Sequence, residues 1–289
     1  HPSDVLMPLR VITAALVALM LVPPGLAAQP ARELFGAIHA PTSGPATPIG
    51  GYAKGCLAGA VQLPSDGPGW QAMRLSRDRR WGTPELIGYI AALGQSAAQD
   101  GWPGLLIGDM GLARGGPMPT GHASHQIGLD VDIWDTPMPA HTLSANERET
   151  MGAPSMLKPG TGNTRDVDPA KFTEGIRMLL YRAATLPGVA RIFVAPGIKK
   201  AMCAIGWRDR SFLGKLRPWY GHDDHFHVRL ECPPGATQCV PQAPVPPGDG
   251  CGADLAWWYT PAPYKPTKPA RPLTVADLPK ACHAVLTGQ

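Results

Sequence analysis

Residues 121–134 read GHASHQIGLDVDIW, and the last six of them, LDVDIW, decide how this chain is built. Side chains alternate across a strand, so Leu129, Val131 and Ile133 share one face while Asp130 and Asp132 share the other. The apolar face must be the core. A second stretch, HFHVRL at 225–230, follows the same rule: Phe226 and Val228 turn inward, while His225 and His227 emerge together. If the two strands are neighbours in a sheet, their polar faces combine into one site of imidazoles and carboxylates. Of the nine histidines in the chain, five (His122, His125, His222, His225 and His227) fall in or beside these two stretches.

That residue set suits a metal. Zinc takes imidazole nitrogen at about 2.0 to 2.1 Å and carboxylate oxygen at about 2.0 to 2.2 Å, and its catalytic sites use three protein ligands with a fourth position open. One aspartate and two histidines supply this set, although strand alternation alone does not choose between Asp130 and Asp132. Taken singly, each half has a plainer reading. An exposed H-x-H is an ordinary surface pair, and two aspartates suit calcium or a loop, but the neighbouring imidazoles disfavour a hard oxygen-seeking cation. A helical HExxH and a G-x-S-x-G elbow are both absent from the sequence.

Working outward, TPELIGYIAALGQSAAQDG (83–101) has Thr83 as N-cap, Pro84 at the first helical position, apolar residues at helical spacing and Gly101 as a stop. DPAKFTEGIRMLLYRAATLPG (168–188) repeats that grammar, which predicts a helix capped by Asp168 and begun by Pro169. GLLIGDMG, LDVDIW, ARIFVAP and HFHVRLEC read as short strands. Helices and strands mix without strict alternation, so the expected fold is α+β, with a small, mainly antiparallel sheet flanked by helices and carrying the site. Residues 40–70, rich in Gly, Pro and Ser, read as an irregular surface lead-in. The Pro-rich run from Pro233 to about Pro272 cannot build ladders and reads as a wrap, then an extended tail.

With 289 residues and 44% hydrophobic content, the chain can bury a sizeable core. A net charge of +4, with no interleaving of aromatics and basic residues, argues against a nucleic-acid partner. The start reads as a secretory signal peptide: basic MPLR, the apolar run VITAALVALMLV and the small-residue zone PPGLAAQ. Met7 is then the expected start and Ala27 or Ala28 the cleavage zone. A run of about a dozen residues is short of the roughly 20 that cross a bilayer, so no stable membrane anchor is expected. The expected division is residues 1–28 as signal peptide, 29–275 as one catalytic domain, and 276–289 as a segment tied back by Cys282. Six cysteines, without any CxxC spacing, point to three disulfides in an oxidising compartment. Cys232 to Cys239 is the easiest loop to close, and a Cys56–Cys282 bridge would join the chain ends.

Together LIGDMG, GHASHQIGLDVDIW, RIFVAPGIKK, LRPWYGHDDHFHVRLECP and GDGCGADLAWW resemble the penicillin-insensitive murein endopeptidases, over about Gly51 to Cys282. These are zinc peptidases related to lysostaphin-type and D-Ala-D-Ala metallopeptidases, and they share a sheet with hedgehog signalling domains. The resemblance implies that His125 and Asp132 of the H-x6-D signature hold Zn2+ together with His227, with Asp130 left to support them. His122 and His222 match further active-site histidines, His122 being also a candidate extra metal ligand, and His225 matches the base or water-orienting residue. It further implies disulfides Cys56–Cys282, Cys203–Cys251 and Cys232–Cys239, a periplasmic location, and peptidoglycan as partner, cut at the D-alanyl to meso-diaminopimelyl cross-link. His225 would handle the proton, and His222 or His122 would help to stabilise the oxyanion. Such a reaction forms no acyl-enzyme for a β-lactam to trap. MLKPGTGNTRDVD (156–168) lacks the Asp and His that some relatives use for an additional metal, so a second zinc is not expected. Trp134, Trp219 and Tyr220 are candidates to pack against substrate, or to serve as core or rim. Two alternatives stay open: a zinc amidase acting on another bond, and a wall-binding domain that keeps zinc for structure.

Overall fold

The computed structural model describes residues 29–289; the expected signal peptide lies outside the described residues. In chain order the elements are helix α1 (Ala31–Gly36), strands β1 (Thr47–Gly51), β2 (Lys54–Ala58), β3 (Val61–Gln62), β4 (Asp66–Gly67), β5 (Trp70–Ala72) and β6 (Trp81–Gly82), then helix α2 (Pro84–Ala98). Strands β7 (Leu105–Ile107) and β8 (Asp130–Trp134), helices α3 (Ala145–Thr150) and α4 (Glu174–Thr185), strand β9 (Val189–Val194) and helix α5 (Pro196–Ala204) follow. Strands β10 (Leu216–Pro218) and β11 (His225–Leu230) and helices α6 (Ala253–Trp257) and α7 (Ala281–Thr287) complete the fold.

The class is α+β. Seven strands form one sheet in the order β10-β9-β11-β8-β7-β5-β4. Pairings β4–β5, β7–β8, β8–β11 and β11–β9 are antiparallel, and β5–β7 and β9–β10 are parallel. Helix α2 starts where its sequence says, with the Thr83 hydroxyl accepting from the Leu86 N–H and Pro84 in the first turn. Its buried stripe, Leu86, Tyr89, Ile90, Leu93 and Ala97, packs in the same core as Ile176, Leu179 and Leu180 of α4 and the apolar sheet face of Val131, Ile133, Phe226 and Val228. Each fully buried side chain of this size contributes roughly 1.5 to 3 kcal/mol relative to exposure, so this layer fixes which way β8 and β11 face.

Three expectations need correction. The predicted cap at Asp168 is a turn: its carboxylate accepts from the Ala170 N–H at 3.0 Å and its carbonyl from Lys171 and Phe172, so α4 begins only after Thr173. An Asp-Pro pair serves a turn as well as a helix start, and burial of Phe172 selects the turn. The lead-in is not irregular, because β1 and β2 form an antiparallel hairpin that buries Ile49, Cys56 and Leu57. Finally, the polar faces of β8 and β11 are covered rather than open. Asp130, Asp132, His227 and Arg229 are all buried, so they form the floor of a polar interior.

The cover comes from two loops. One spans β7 to β8; the other is the start of the Pro-rich run, which bonds to Gly50 through the Gln238 carbonyl and the Val240 N–H and brings Gln242 to Arg229 at 2.7 Å. Disulfides Cys56–Cys282, Cys203–Cys251 and Cys232–Cys239 are formed, with sequence separations of 226, 48 and 7. The first lies in a second apolar cluster with Phe35, Ile49, Val275, Leu278 and Val285. No helix among the described residues is long and apolar enough to cross a membrane.

Candidate functional site

Register places the site. In the antiparallel pair β8–β11, His227 lies opposite Asp132 and Arg229 opposite Asp130, and opposed residues point to the same face. His125 comes from the loop just before β8. Its backbone sits in the left-handed region at φ 64°, a conformation uncommon for a residue with a side chain. Two bonds hold it there: its N–H donates to Asp130 Oδ2 at 3.0 Å, and its Nδ1 donates to the Met110 carbonyl at 2.7 Å. Gly128, at φ +73°, completes the entry to β8, where a Cβ would meet Leu57 Cδ2 at 2.4 Å.

Asp132 is the point of convergence. Its Oδ1 lies 3.4 Å from His125 Nε2, 3.8 Å from His227 Nδ1 and 3.9 Å from His225 Nε2, and its Oδ2 lies 3.3 Å from His122 Nε2. Donor atoms of His122, His125 and Asp132 all fall within 4.8 Å of one another. His227 approaches the same carboxylate from across the strand pair. Although both are buried, His125 Nε2 and Asp132 Oδ1 make no hydrogen bond. Unpartnered buried polar atoms are costly, and here two of them face each other. Two ligands at zinc distances and a tetrahedral angle stand about 3.3 to 3.4 Å apart, which is the spacing of these atoms. The residues present therefore fit a metal of this kind.

The free nitrogens are set from behind. A carbonyl can only accept, so His125 carries its proton on Nδ1 and turns the Nε2 lone pair toward Asp132. His227 Nε2 donates to Asp130 Oδ1 at 2.9 Å, leaving Nδ1 toward Asp132; burial pushes its pKa down to about 4, which keeps the ring neutral. Asp130 also accepts from Arg229 Nε at 2.7 Å. Burial would raise its carboxyl, but Arg229 and His227 reverse that and hold it well below the usual range. Asp132 is likewise held low by the surrounding imidazoles, His125 first, against its own burial.

His225 and His222 stand beside this group, their rings 5.0 Å apart. His225 Nδ1 donates to Asp224 Oδ1 at 2.6 Å, so Nε2 is the atom turned to Asp132; burial lowers its affinity for a proton, but Asp132 and Asp224 outweigh it and push its pKa up to about 9. His222 Nδ1 donates to the Tyr220 carbonyl at 2.6 Å, and burial pushes its pKa down to about 3, leaving a neutral ring with Nε2 as an acceptor. All the candidate residues thus meet in one place.

Sequence reasoning passed over three participants. Asp109 Oδ2 accepts from Arg79 at 2.8 Å and lies 3.1 Å from His122 Nε2, fixing that ring. Asp224 positions His225, and its place directly before the H-x-H pair was the available signal. Asp135 is buried with neither carboxylate oxygen hydrogen-bonded, and burial pushes its pKa up to about 7.

A cleft of about 920 Å³ opens on the site. His122, His222 and His227 reach its wall at one end, and Arg191, Arg217 and Arg229 line it beyond. Trp219, Tyr220, Trp257 and Trp258 form an aromatic side, in which Trp219 and Tyr220 are exposed rim residues, whereas Trp134 is buried against Leu106 and Leu143.

Residues 48–287 match the profile of a family described as penicillin-insensitive murein endopeptidase. A protein of that name from Haemophilus influenzae is 41% identical over 249 residues, covering 84% of this chain and 83% of its own length. One from Klebsiella pneumoniae is 40% identical over 272 residues (94% and 96%), and one from Yersinia pestis is 41% identical over 276 residues (94% and 95%).

Proposed function

This chain belongs to the family of penicillin-insensitive murein endopeptidases, and on that premise we propose that it is a zinc-dependent DD-endopeptidase of the periplasm, cutting the D-alanyl to meso-diaminopimelyl cross-link of peptidoglycan. The observation that carries the metal is the unpartnered pair His125 Nε2 and Asp132 Oδ1, met by His227 and His122. His125, Asp132 and His227 hold the zinc in this reading, and His122 is an additional donor. When bound, zinc supplies Lewis acidity, enough to bring the pKa of water from about 15.7 to roughly 7.

The protein's own groups do the rest. Once a bound cation offsets the Asp132 charge that otherwise keeps this ring protonated, His225, oriented by Asp224, would offer Nε2 to take the proton that the attacking water sheds and to return it to the amine nitrogen as the C–N bond breaks. Protonated, that same Nε2 is a donor toward the developing oxyanion. His222 accepts through Nε2 while its Nδ1 proton is committed to Tyr220, so it suits ordering a donor such as water or an amide N–H better than stabilising negative charge. Asp130 orients the His227 imidazole from behind and holds the His125 backbone through its N–H, a supporting role that commonly changes metal affinity 10- to 100-fold when removed. Residues 29–275 act as one catalytic unit in this reading, and kinship of the sheet with hedgehog-type and D-Ala-D-Ala peptidase domains is part of it.

The test is metal content together with activity on cross-linked muropeptide dimers. The purified protein is expected to carry one zinc, lose activity on chelation and regain it with zinc, and the new termini should be D-alanine and diaminopimelate. His225→Ala should keep its zinc and lose roughly 10²- to 10⁴-fold in turnover. A protein that cuts dimers equally well after complete metal removal would overturn the metal reading. Other termini would point to an amidase acting on another bond, and zinc without turnover to a wall-binding domain.

A further inference from the structure

Residues paired on adjacent strands share a face, so the floor of the cleft can be read as rows. One row runs Asp132, His227, Phe193, Arg217 across β8, β11, β9 and β10; the next runs Asp130, Arg229, Arg191. Acidic groups gather at the metal end and guanidiniums at the other. Arg229 is fully engaged, with Asp130 at 2.7 and 3.3 Å, Gln242 at 2.7 Å and the Tyr52 ring 4.3 Å away. Arg217 reaches only the rim carboxylate of Asp254, at 3.2 Å.

Arg191 is different. It donates from one terminal nitrogen to the Ala243 carbonyl, its buried Nε has no hydrogen-bond partner, and no carboxylate pairs with it among the described residues. Beside it stand Arg229 and Arg217, like charges in a half-buried setting. A guanidinium cannot shed its proton to relieve this. Three guanidiniums thus share two carboxylates, Asp130 and Asp254, and the cleft keeps an uncompensated positive charge with planar donors to spare.

We propose that Arg191 and Arg217 form a carboxylate subsite, which receives the carboxylate on the carbon that bears the scissile nitrogen. This rests on the endopeptidase reading, in which the amine side of the cleaved amide is a diaminopimelyl centre with its own free carboxylate. That carboxyl carbon is three bonds from the reacting carbonyl carbon, roughly 3 to 4 Å away. Arg191 is one strand over and two residues along from His227, which puts its Cα about 8 Å from that ligand's Cα. A guanidinium bound to a carboxylate through paired N–H···O bonds of about 2.8 Å spans the remainder. The subsite would select cross-links with a free carboxylate next to the scissile bond and reject those in which it is amidated.

The experiment compares cross-linked dimers with this carboxyl free or as its carboxamide, and measures calorimetric binding of the diaminopimelyl stem peptide and its carboxamide to the zinc-loaded protein. The parent should favour the free acid by roughly ten- to hundred-fold in kcat/KM and in binding, the range expected for hydrogen bonds to a charged group. Arg191→Met should lose that preference by lowering performance on the free acid alone, with zinc content and thermal midpoint retained, and Arg191→Lys should recover part of it. Arg217→Met should lose less, because Asp254 already shares its charge. Equal discrimination by parent and Arg191→Met, in turnover and in binding, would overturn the subsite. If no dimer is cut but binding still depends on Arg191 and the free carboxylate, the endopeptidase reading fails and the subsite stands.

Discussion

His125 shows how much one residue can be asked to do. A left-handed backbone at a non-glycine residue costs of order 1 to 3 kcal/mol and persists only where the surroundings over-determine it. Asp130 is the group that over-determines it, joining the His125 N–H, His227 Nε2 and Arg229 through one buried carboxylate. Asp130→Asn keeps the shape but removes the charge, stranding Arg229. We expect zinc affinity to fall 10- to 100-fold and stability at neutral pH to fall by about 3 to 5 kcal/mol, measured by competition with a chelator and by denaturant unfolding. The pH dependence has a definite sign. The folded pKa of Asp130 is depressed, so its contribution is fully present above the unfolded value of about 3.9 and is lost as pH falls below it. The gap in thermal midpoint between parent and variant should therefore be widest at neutral pH and narrow below about pH 4.

At the scale of the element, β8 and β11 were legible because strand alternation is a local rule: LDVDIW and HFHVRL each state which side is apolar, and the structure obeys. The burial of their polar faces was not legible, since it depends on loops that arrive from residues 109–128 and 238–243. The hairpin of β1 and β2 was hidden by composition, because its glycines serve turns and close approach rather than disorder. Register was also out of reach: nothing local says that His227 faces Asp132, 95 positions away, or that Arg191 and Arg217 fall in rows with them. The two faces of β11 give separable effects. Phe226→Ala should cost about 3 to 5 kcal/mol of stability yet leave the metal stoichiometry of the folded fraction unchanged. His227→Ala should do the reverse, weakening metal binding far more than folding. Unfolding curves read beside metal content decide this, and a metal-free but fully stable Phe226→Ala protein would contradict it.

At the scale of the whole molecule, the smaller cluster around Phe35, Ile49, Val275 and Val285 is stapled from within by the Cys56–Cys282 bond, which ties β2 to α7. Closing so long a loop restricts the unfolded chain strongly, and removing such a bond typically costs about 2 to 5 kcal/mol. A Cys56→Ser, Cys282→Ser double variant should lose stability in that range under non-reducing conditions, with protease cuts appearing first near α1, β1 and α7 while the metal content expected of the proposed site is unchanged. Equal stability and an unchanged digestion pattern would show that the apolar cluster needs no staple. The ring closed by this bond also contains the histidines, arginines and aromatic residues that line the cleft, from His122 to Trp258. A single nick in the exposed stretch at 265–270 would leave two polypeptide pieces still held in one covalent body, so a backbone break there would not detach any part of the working surface.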